Sequence, residues 1–100
     1  MTKHPKKLLV IIAEAVLEKK LVADVLQAGG RGYTVHDVRG GSEYATRENS
    51  WEADRTIEIK IICEEDVADA IASHVLATYA PDYGLTLFFS DVAVLRPQKF

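Results

Sequence analysis

Apolar positions repeat with two different periods along the chain, and each period predicts one kind of element. Four segments are predicted to be strands: residues 7–14, 32–39, 55–63 and 85–95. The first is an almost unbroken apolar run, as in a strand buried on both faces. The third alternates, with Ile57, Ile59 and Ile61 on one side. Such alternation is typical of a strand with one buried face.

Two segments between these strands have helical spacing. From Ala15 to Leu26, apolar residues recur every three or four positions, and the pattern stops at Gly29 and Gly30, which can adopt the left-handed conformation that ends a helix. Residues 64–79 repeat the spacing after a Glu-Glu-Asp opening, which complements the positive end of a helix dipole. Pro81 terminates this second helix.

The predicted order is therefore βαββαβ. It indicates an α+β, ferredoxin-like fold in which a four-stranded antiparallel sheet carries two helices on one face. At 100 residues the chain is expected to form a single domain, residues 1–100. The face of the sheet without helices would expose more apolar surface than a monomer usually shows. Oligomerisation through that face is expected.

Composition and charge exclude several classes of protein. The longest apolar run, Leu8–Ala13, is too short to cross a bilayer, so no direct membrane insertion is expected. A net charge of −3 and a single small basic group, Lys3, Lys6 and Lys7, argue against nucleic-acid binding. The single cysteine, Cys63, lies in an apolar run and is predicted to be a buried structural thiol. We expect a cytoplasmic protein.

The segment between the second and third strands, residues 40–54, follows neither period. Adjacent antiparallel strands need only about two to five connecting residues, and loops as long as this one are usually functional. A tolerated surface insertion is the alternative, because added loop length costs little free energy. The only tryptophan, Trp51, lies in this loop. A large aromatic residue in a polar loop favours a contact with a partner.

The base of this loop has features suited to phosphate binding. The Gly40–Ser42 run offers consecutive backbone N–H groups with little side chain in the way. Arg39, Arg47 and Arg55 surround the loop, and guanidinium groups pair with phosphate or carboxylate oxygens. Each arginine could equally be solvated or paired with a loop glutamate. Arg55 is favoured because it opens a strand.

Two segments resemble the PII family of signalling proteins. The run from Gly32 to Gly40, Gly-Tyr-Thr-Val-His-Asp-Val-Arg-Gly, resembles the second-strand signature of that family. The segment from Leu87 to Leu95, with its Asp-Val-Ala triplet, is similar to the family's last core strand. With the element order and the position of the long connection, the resemblance covers nearly the whole chain.

The resemblance implies a homotrimer that binds adenine nucleotides in clefts between subunits and signals through a mobile T-loop, here residues 40–54. It implies these nucleotide-binding residues: Tyr33, Thr34, Val35, His36, Gly40, Gly41, Ser42, Arg55, Glu58, Lys60, Tyr83, Gly84, Leu85 and Arg96. The adenine would be flanked by residues 33–35 and the phosphates by residues 40–42, while residues 83–85 would occupy the B-loop. The partner-binding residues would be Tyr44, Arg47 and Trp51.

Departures from the family pattern bear on the ligand. The glycine- and lysine-rich B-loop is replaced by Ala80–Gly84, and the usual pair of arginines after the last strand is reduced to Arg96 and Lys99. Glu58 stands near the expected position of a phosphate-binding lysine, with Lys60 nearby. Fewer cations compensate phosphate charge less well, so ADP, AMP or cyclic AMP is expected to be favoured over ATP with 2-oxoglutarate.

The Asp-Tyr-Gly stretch before the last strand is similar to the PII-like subgroup associated with inorganic-carbon uptake and carboxysomes. In that subgroup bicarbonate can accompany the nucleotide. A bicarbonate transporter or another carbon-metabolism protein would then be the partner. The resemblance implies no covalent cofactor.

Two alternatives share the predicted fold. A small acylphosphatase-like enzyme would use Arg47 to bind phosphate and Asn49 to place water, and a divalent-ion tolerance protein would share the trimeric architecture. No Ser-His-Asp or Cys-His grouping supports nucleophilic catalysis, because His4, His36 and His74 fall in separate segments. No spacing typical of a metal site is present in the sequence. A sensor without catalytic activity or a metal is expected.

Overall fold

A computed structural model describes residues 1–41 and 55–100 of the chain. Its main elements are β1 (His4–Glu14), α1 (Glu18–Gln27), β2 (Thr34–Val38), β3 (Thr56–Cys63), α2 (Glu65–Tyr79) and β4 (Thr86–Val94). Short 3₁₀ turns cover Ala15–Leu17 and Pro97–Lys99. The predicted βαββαβ order is confirmed. In the described ranges, neither helix has the length and apolar character needed to span a membrane.

The four strands form one antiparallel sheet in the order β2-β3-β1-β4. β1 lies inside the sheet and pairs with both β3 and β4, which explains its almost unbroken apolar sequence. Between β1 and β3, Leu9 faces Ile61 and Ile11 faces Ile59. β2 and β4 are the two edge strands, at opposite sides of the sheet.

Both helices pack on one face of this sheet, and the core lies between the helices and the sheet. The three isoleucines predicted to share a side, Ile57, Ile59 and Ile61, are at most 1% exposed. The largest fully buried side chains are Leu9, Ile11, Leu17, Leu21, Val25, Ile57, Ile59, Ile61, Ile71 and Val75. Burying each such side chain stabilises the fold by about 1.5–3 kcal/mol. The alternation predicted from the sequence is therefore confirmed.

The other face of the sheet, here called the open face, carries no helix. Because successive strand residues point to opposite faces, Leu8, Val10 and Ile12 of β1 lie on it. Phe88 of β4 faces Val10 across the β1–β4 pair and is 46% exposed. The apolar character predicted for this face is present in the structure.

The glycine pair ends α1 as predicted. Gly29 has a φ of 108°, and the N–H of Gly30 donates to the carbonyl of Val25 at 2.9 Å. Gly30 is buried, and a Cβ there would lie 2.7 Å from Cγ1 of Val25. The close packing of this turn therefore requires glycine.

Some element bounds differ from the prediction. The segment predicted to be helical from Ala15 begins as a 3₁₀ turn, and α1 starts only at Glu18. The N–H of Ala15 donates to the carbonyl of Arg55 at 2.9 Å, so the backbone of Ala15 is held at the end of the sheet next to the start of β3. β1 begins at His4 because His4 pairs with Val94 of β4.

Candidate functional site

Four of the predicted polar residues lie together where β2 pairs with β3. Thr34 faces Lys60, and His36 faces Glu58. The residue between the two β3 positions, Ile59, is fully buried against the helices, so these four side chains lie on the open face. We call this group, Thr34, His36, Glu58 and Lys60, the β2–β3 polar patch.

Glu58 lies between the two basic residues of this patch. Its Oε1 is 3.5 Å from Nε2 of His36 and 3.4 Å from Nζ of Lys60. The Glu58 side chain is 20% exposed, whereas those of His36 and Lys60 are 45% and 43% exposed. The carboxylate is therefore the most buried charged group of the patch, and the basic groups are open to solvent.

Arg55 lies at the base of the long loop, immediately before β3. Its Nη2 donates to Oδ1 of Asp37 at 2.6 Å, and its carbonyl accepts the hydrogen bond from Ala15. The backbone is thereby tied to the end of β1 and the side chain to β2. The Arg55 side chain remains 45% exposed, so an anion can still approach its guanidinium.

The glycines that follow β2 leave their backbone open. A Cβ at Gly40 or Gly41 would meet nothing within 4 Å. Because Val38 pairs with Thr56, this open backbone begins close to the residue where the loop returns. The other residues predicted in the loop lie outside the described residues: Ser42, Tyr44, Arg47 and Trp51.

The predicted B-loop residues, Tyr83–Leu85, lie at the opposite edge of the sheet. Ile12 of β1 pairs with Thr86, while Glu14 pairs with Thr56, so the start of β4 and the base of the long loop are at the same end of the sheet. β2 and β4 are separated by three strand spacings, about 14 Å. One chain therefore carries the predicted residues as two separate groups.

Three of the predicted residues also contribute to the core. The side chains of Val35, Tyr83 and Leu85 are partly buried and pack against the core cluster. Gly84 between the last two is exposed and has open space around it. Val35 can contact a ligand through its backbone, because β2 pairs on only one side in the described sheet.

Tyr33 and Arg96 lie away from the loop base. Tyr33 precedes β2 and is 46% exposed. Arg96 follows β4, whose last residue, Val94, pairs with His4 at the other end of the sheet. Within one chain, the structure does not bring Arg96 to the predicted phosphate-binding residues.

Asp37 belongs to the loop base but was absent from the predicted site. Its carboxylate accepts the hydrogen bond from Arg55. The alternation of β2 already places Asp37 on the helix-facing side with Val35, where a charged residue is unusual. A charged residue at a helix-facing position, near a strand that begins with arginine, is the signal from which the Arg55–Asp37 pair could have been predicted.

A second polar cluster joins the two helices. The Tyr79 hydroxyl donates to Oδ2 of Asp24 at 2.5 Å, and Nε2 of His74 lies 3.3 Å from the other carboxylate oxygen. Burial, together with this hydrogen bond, raises the pKa of Tyr79 to about 12. A groove of about 230 Å³, lined by Asp24, Gln27, Ala28 and His74, lies beside the cluster. Because the hydrogen bond joins Tyr79 of α2 to Asp24 of α1, we assign the cluster a structural role.

The described residues also bear on metal binding. Across residues 1–41 and 55–100, no group of three or more His, Cys, Asp or Glu side chains is placed to hold a metal ion. Cys63 is 3% exposed, which confirms the predicted buried thiol.

Comparison with known proteins identifies the family. The family model for nitrogen regulatory protein P-II matches residues 6–99. The chain belongs to the P-II family. The PII resemblance seen in the sequence and the predicted fold are both confirmed. P-II proteins are signalling proteins.

Solved structures agree with this assignment. A protein of Thermus thermophilus described as a PII-like signalling protein is 35% identical, with a TM-score of 0.86 over 100% of this chain and 99% of that one. CPII from Thiomonas intermedia K12, bound to ADP, AMP and acetate, is 25% identical, with a TM-score of 0.84 over 100% and 98% of the two chains. A structure of CPII with ADP and bicarbonate matches at 24% identity and a TM-score of 0.86, over 99% and 97% of the chains, and supports the fold.

Proposed function

We propose that this P-II protein is a signal-transduction protein that senses adenine nucleotides in clefts between the subunits of a homotrimer. ADP, AMP or cyclic AMP is the preferred ligand, with ATP less favoured and bicarbonate as an additional ligand. The nucleotide biases the conformation of the T-loop, residues 40–54. The T-loop then regulates a partner protein.

The observation that carries this proposal is the division of the predicted residues between two sheet edges. The loop base and the polar patch lie along β2 and β3, whereas Tyr83–Leu85 lie before β4. The loop base and Tyr83–Leu85 are at the same end of the sheet, and the patch extends from that end along the strands. A gap of about 14 Å separates the two edges within a chain. A cleft between two subunits would unite the β2 edge of one with the β4 edge of the next.

The open face supports assembly. Leu8, Ile12 and Phe88 lie on a sheet surface without helices, and Phe88 is 46% exposed. Apolar faces of this kind mark association surfaces. A trimer that buries the three open faces against one another would also bring unlike sheet edges together.

The proposed ligand follows from the relatives and from the cations of the site. CPII, which matches this chain over its full length, binds ADP and AMP. At the loop base and the patch, Arg55 and Lys60 each have a carboxylate within 4 Å. Such partly compensated cations favour nucleotides with fewer phosphates. Bicarbonate, a small anion, would complete the site beside a short phosphate chain.

A cytoplasmic location and a partner in inorganic-carbon metabolism, such as a bicarbonate transporter, complete the proposal. Both follow from the resemblance to the carboxysome-associated subgroup. Trp51, Tyr44 and Arg47 of the T-loop are the proposed contacts. The protein acts by binding and not by catalysis.

Titration calorimetry tests the proposal directly. The purified protein is titrated with ATP, ADP, AMP and cyclic AMP, each with and without bicarbonate. We expect micromolar binding of at least one nucleotide, about −8 kcal/mol, and no release of inorganic phosphate. Absence of binding to all four nucleotides at millimolar concentration would refute the sensor, and turnover of any of them would favour an enzyme.

Fluorescence of Trp51 tests the signalling step. As the only tryptophan, Trp51 reports on the T-loop alone. Ligand binding is expected to shift its emission at the same concentrations at which heat is released. Saturation of the site with unchanged emission would contradict coupling between nucleotide and loop.

A further inference from the structure

The β2–β3 polar patch contains its own anion. Glu58 Oε1 lies within 3.5 Å of Nε2 of His36 and within 3.4 Å of Nζ of Lys60. It is less exposed than either basic group, 20% against 45% and 43%. The carboxylate thus occupies the position between two basic groups that an incoming anionic group would otherwise take.

An internal carboxylate changes what such a site can bind. In formal charge, with histidine counted as neutral, the carboxylate of Glu58 cancels the ammonium of Lys60. A ligand phosphate that approaches Lys60 is attracted by the ammonium and repelled by the carboxylate at similar distances. Both effects grow with the number of charges on the ligand, so Glu58 cancels the gain in affinity that Lys60 alone would give to a longer phosphate chain.

We propose that Glu58 is a charge-selecting residue of the nucleotide site: it acts as a built-in counter-ion that lowers affinity progressively as the ligand carries more phosphates. The inference rests on the proposed function, since it assigns Glu58 a role within that site. Glu58 thereby removes the electrostatic advantage that a more highly charged nucleotide would otherwise have at this site. Glu58 tunes selectivity between nucleotides and is not needed for nucleotide binding as such.

A second carboxylate–lysine pair in the same chain provides a matched control. Glu64 pairs with Lys6, and the Glu64 side chain is 59% exposed. Glu64 follows β3 at the end of the sheet away from the loop base. Glu58→Gln and Glu64→Gln therefore remove the same charge and keep the side-chain shape. Each breaks one carboxylate–lysine pair, but only Glu58→Gln does so in the patch.

The test compares AMP, ADP and ATP binding to wild type, E58Q and E64Q. Titrations are made without magnesium at low ionic strength, where charge effects are largest. For E58Q we expect affinity to rise about threefold for AMP and more than about tenfold for ATP, with ADP between them. E64Q is expected to match wild type, and Lys60→Gln is expected to lower affinity in the same graded order.

The outcomes separate this inference from the function on which it rests. If wild type binds nucleotides but E58Q binds all three with an equal change, or binds them more weakly, Glu58 does not select by charge and the inference fails alone. Weaker binding would show that the carboxylate accepts hydrogen bonds from the ligand. If wild type and E58Q bind none of the three, the nucleotide sensor and the inference both fail.

Discussion

Arg55 and Asp37 form a 2.6 Å ion pair that joins the residue where the long loop re-enters the sheet to the strand from which the loop departs. Both side chains are largely exposed, 45% and 69%. Exposed pairs of this kind contribute little to stability, on the order of 0–1 kcal/mol. The pair is better understood as fixing the direction of a guanidinium group at the loop base.

Replacing Arg55 is therefore expected to affect ligand binding more than folding. Arg55→Ala should weaken nucleotide affinity by at least about tenfold, or 1.4 kcal/mol, because it removes the guanidinium group that is proposed to bind phosphate. Calorimetric titration gives the affinity and urea unfolding the stability. Lys20→Ala removes one positive charge from the exposed surface of α1 and should leave both unchanged. Unaltered affinity in R55A would remove Arg55 from the site.

Burial of Tyr79, together with its hydrogen bond to Asp24, predicts a pH dependence of stability at high pH. The pKa of Tyr79 is raised from 10.0 to about 12, so the folded protein favours the neutral phenol. The resulting stabilisation is fully present below pH 10 and is lost as pH rises from 10 to about 12. Tyr79→Phe should cost about 1 kcal/mol at neutral pH and remove this dependence.

Urea unfolding at fixed protein concentration, at several pH values, measures that stability. Ultraviolet titration of wild type should show a late tyrosine ionisation that is missing in Y79F. Tyr33→Phe is the control, since the Tyr33 ring is 46% exposed. A late ionisation that persists in Y79F would contradict the assignment.

Cys63 is expected to resist modification. Burial raises the pKa of its thiol, and the nearby carboxylates of Asp66 and Glu64 raise it further. Because the thiolate is the reactive form, an aromatic disulfide reagent should label the folded protein on the order of a hundredfold more slowly than the protein in urea. Equal labelling rates in the two conditions would show that Cys63 is accessible in the native state.

The two adjacent phenylalanines of β4 allow a direct test of the open face. Phe88 faces Val10 on the open face, while Phe89 faces Leu9 on the helix-facing side, and their exposures are 46% and 47%. We expect Phe88→Ser to dissociate the proposed trimer and Phe89→Ser to leave its mass unchanged. Light scattering of the three proteins at matched concentration measures the mass. A wild-type mass equal to one subunit would refute the trimer.

The fold could be predicted because its signals are local. The period-two spacing of Ile57, Ile59 and Ile61 and the glycines at 29 and 30 each act within a few residues, and both correspond to structure. The start of α1 could not be predicted in the same way. It depends on the hydrogen bond from Ala15 to Arg55, which joins two segments far apart in sequence.

The site was less accessible to sequence reasoning. The period-two geometry of a strand places Thr34 and His36 on one side of β2, but which β3 residues face them depends on strand register. The position of Glu58 between His36 and Lys60 is a consequence of that register, so periodicity alone could not predict it. Arg96 shows the converse, since a family pattern alone does not reveal which end of the sheet a residue occupies.

In the proposed trimer, the sheet order β2-β3-β1-β4 predicts that variants of different subunits complement one another. If each binding cleft uses the β2 side of one subunit and the β4 side of the next, Arg55→Ala damages one half and a substitution at Gly84 damages the other. Neither variant alone would then contain an intact cleft, but a trimer mixed from both would regain one. Co-refolding the two weakened variants should thus restore wild-type nucleotide affinity, at a stoichiometry of one high-affinity site per mixed trimer.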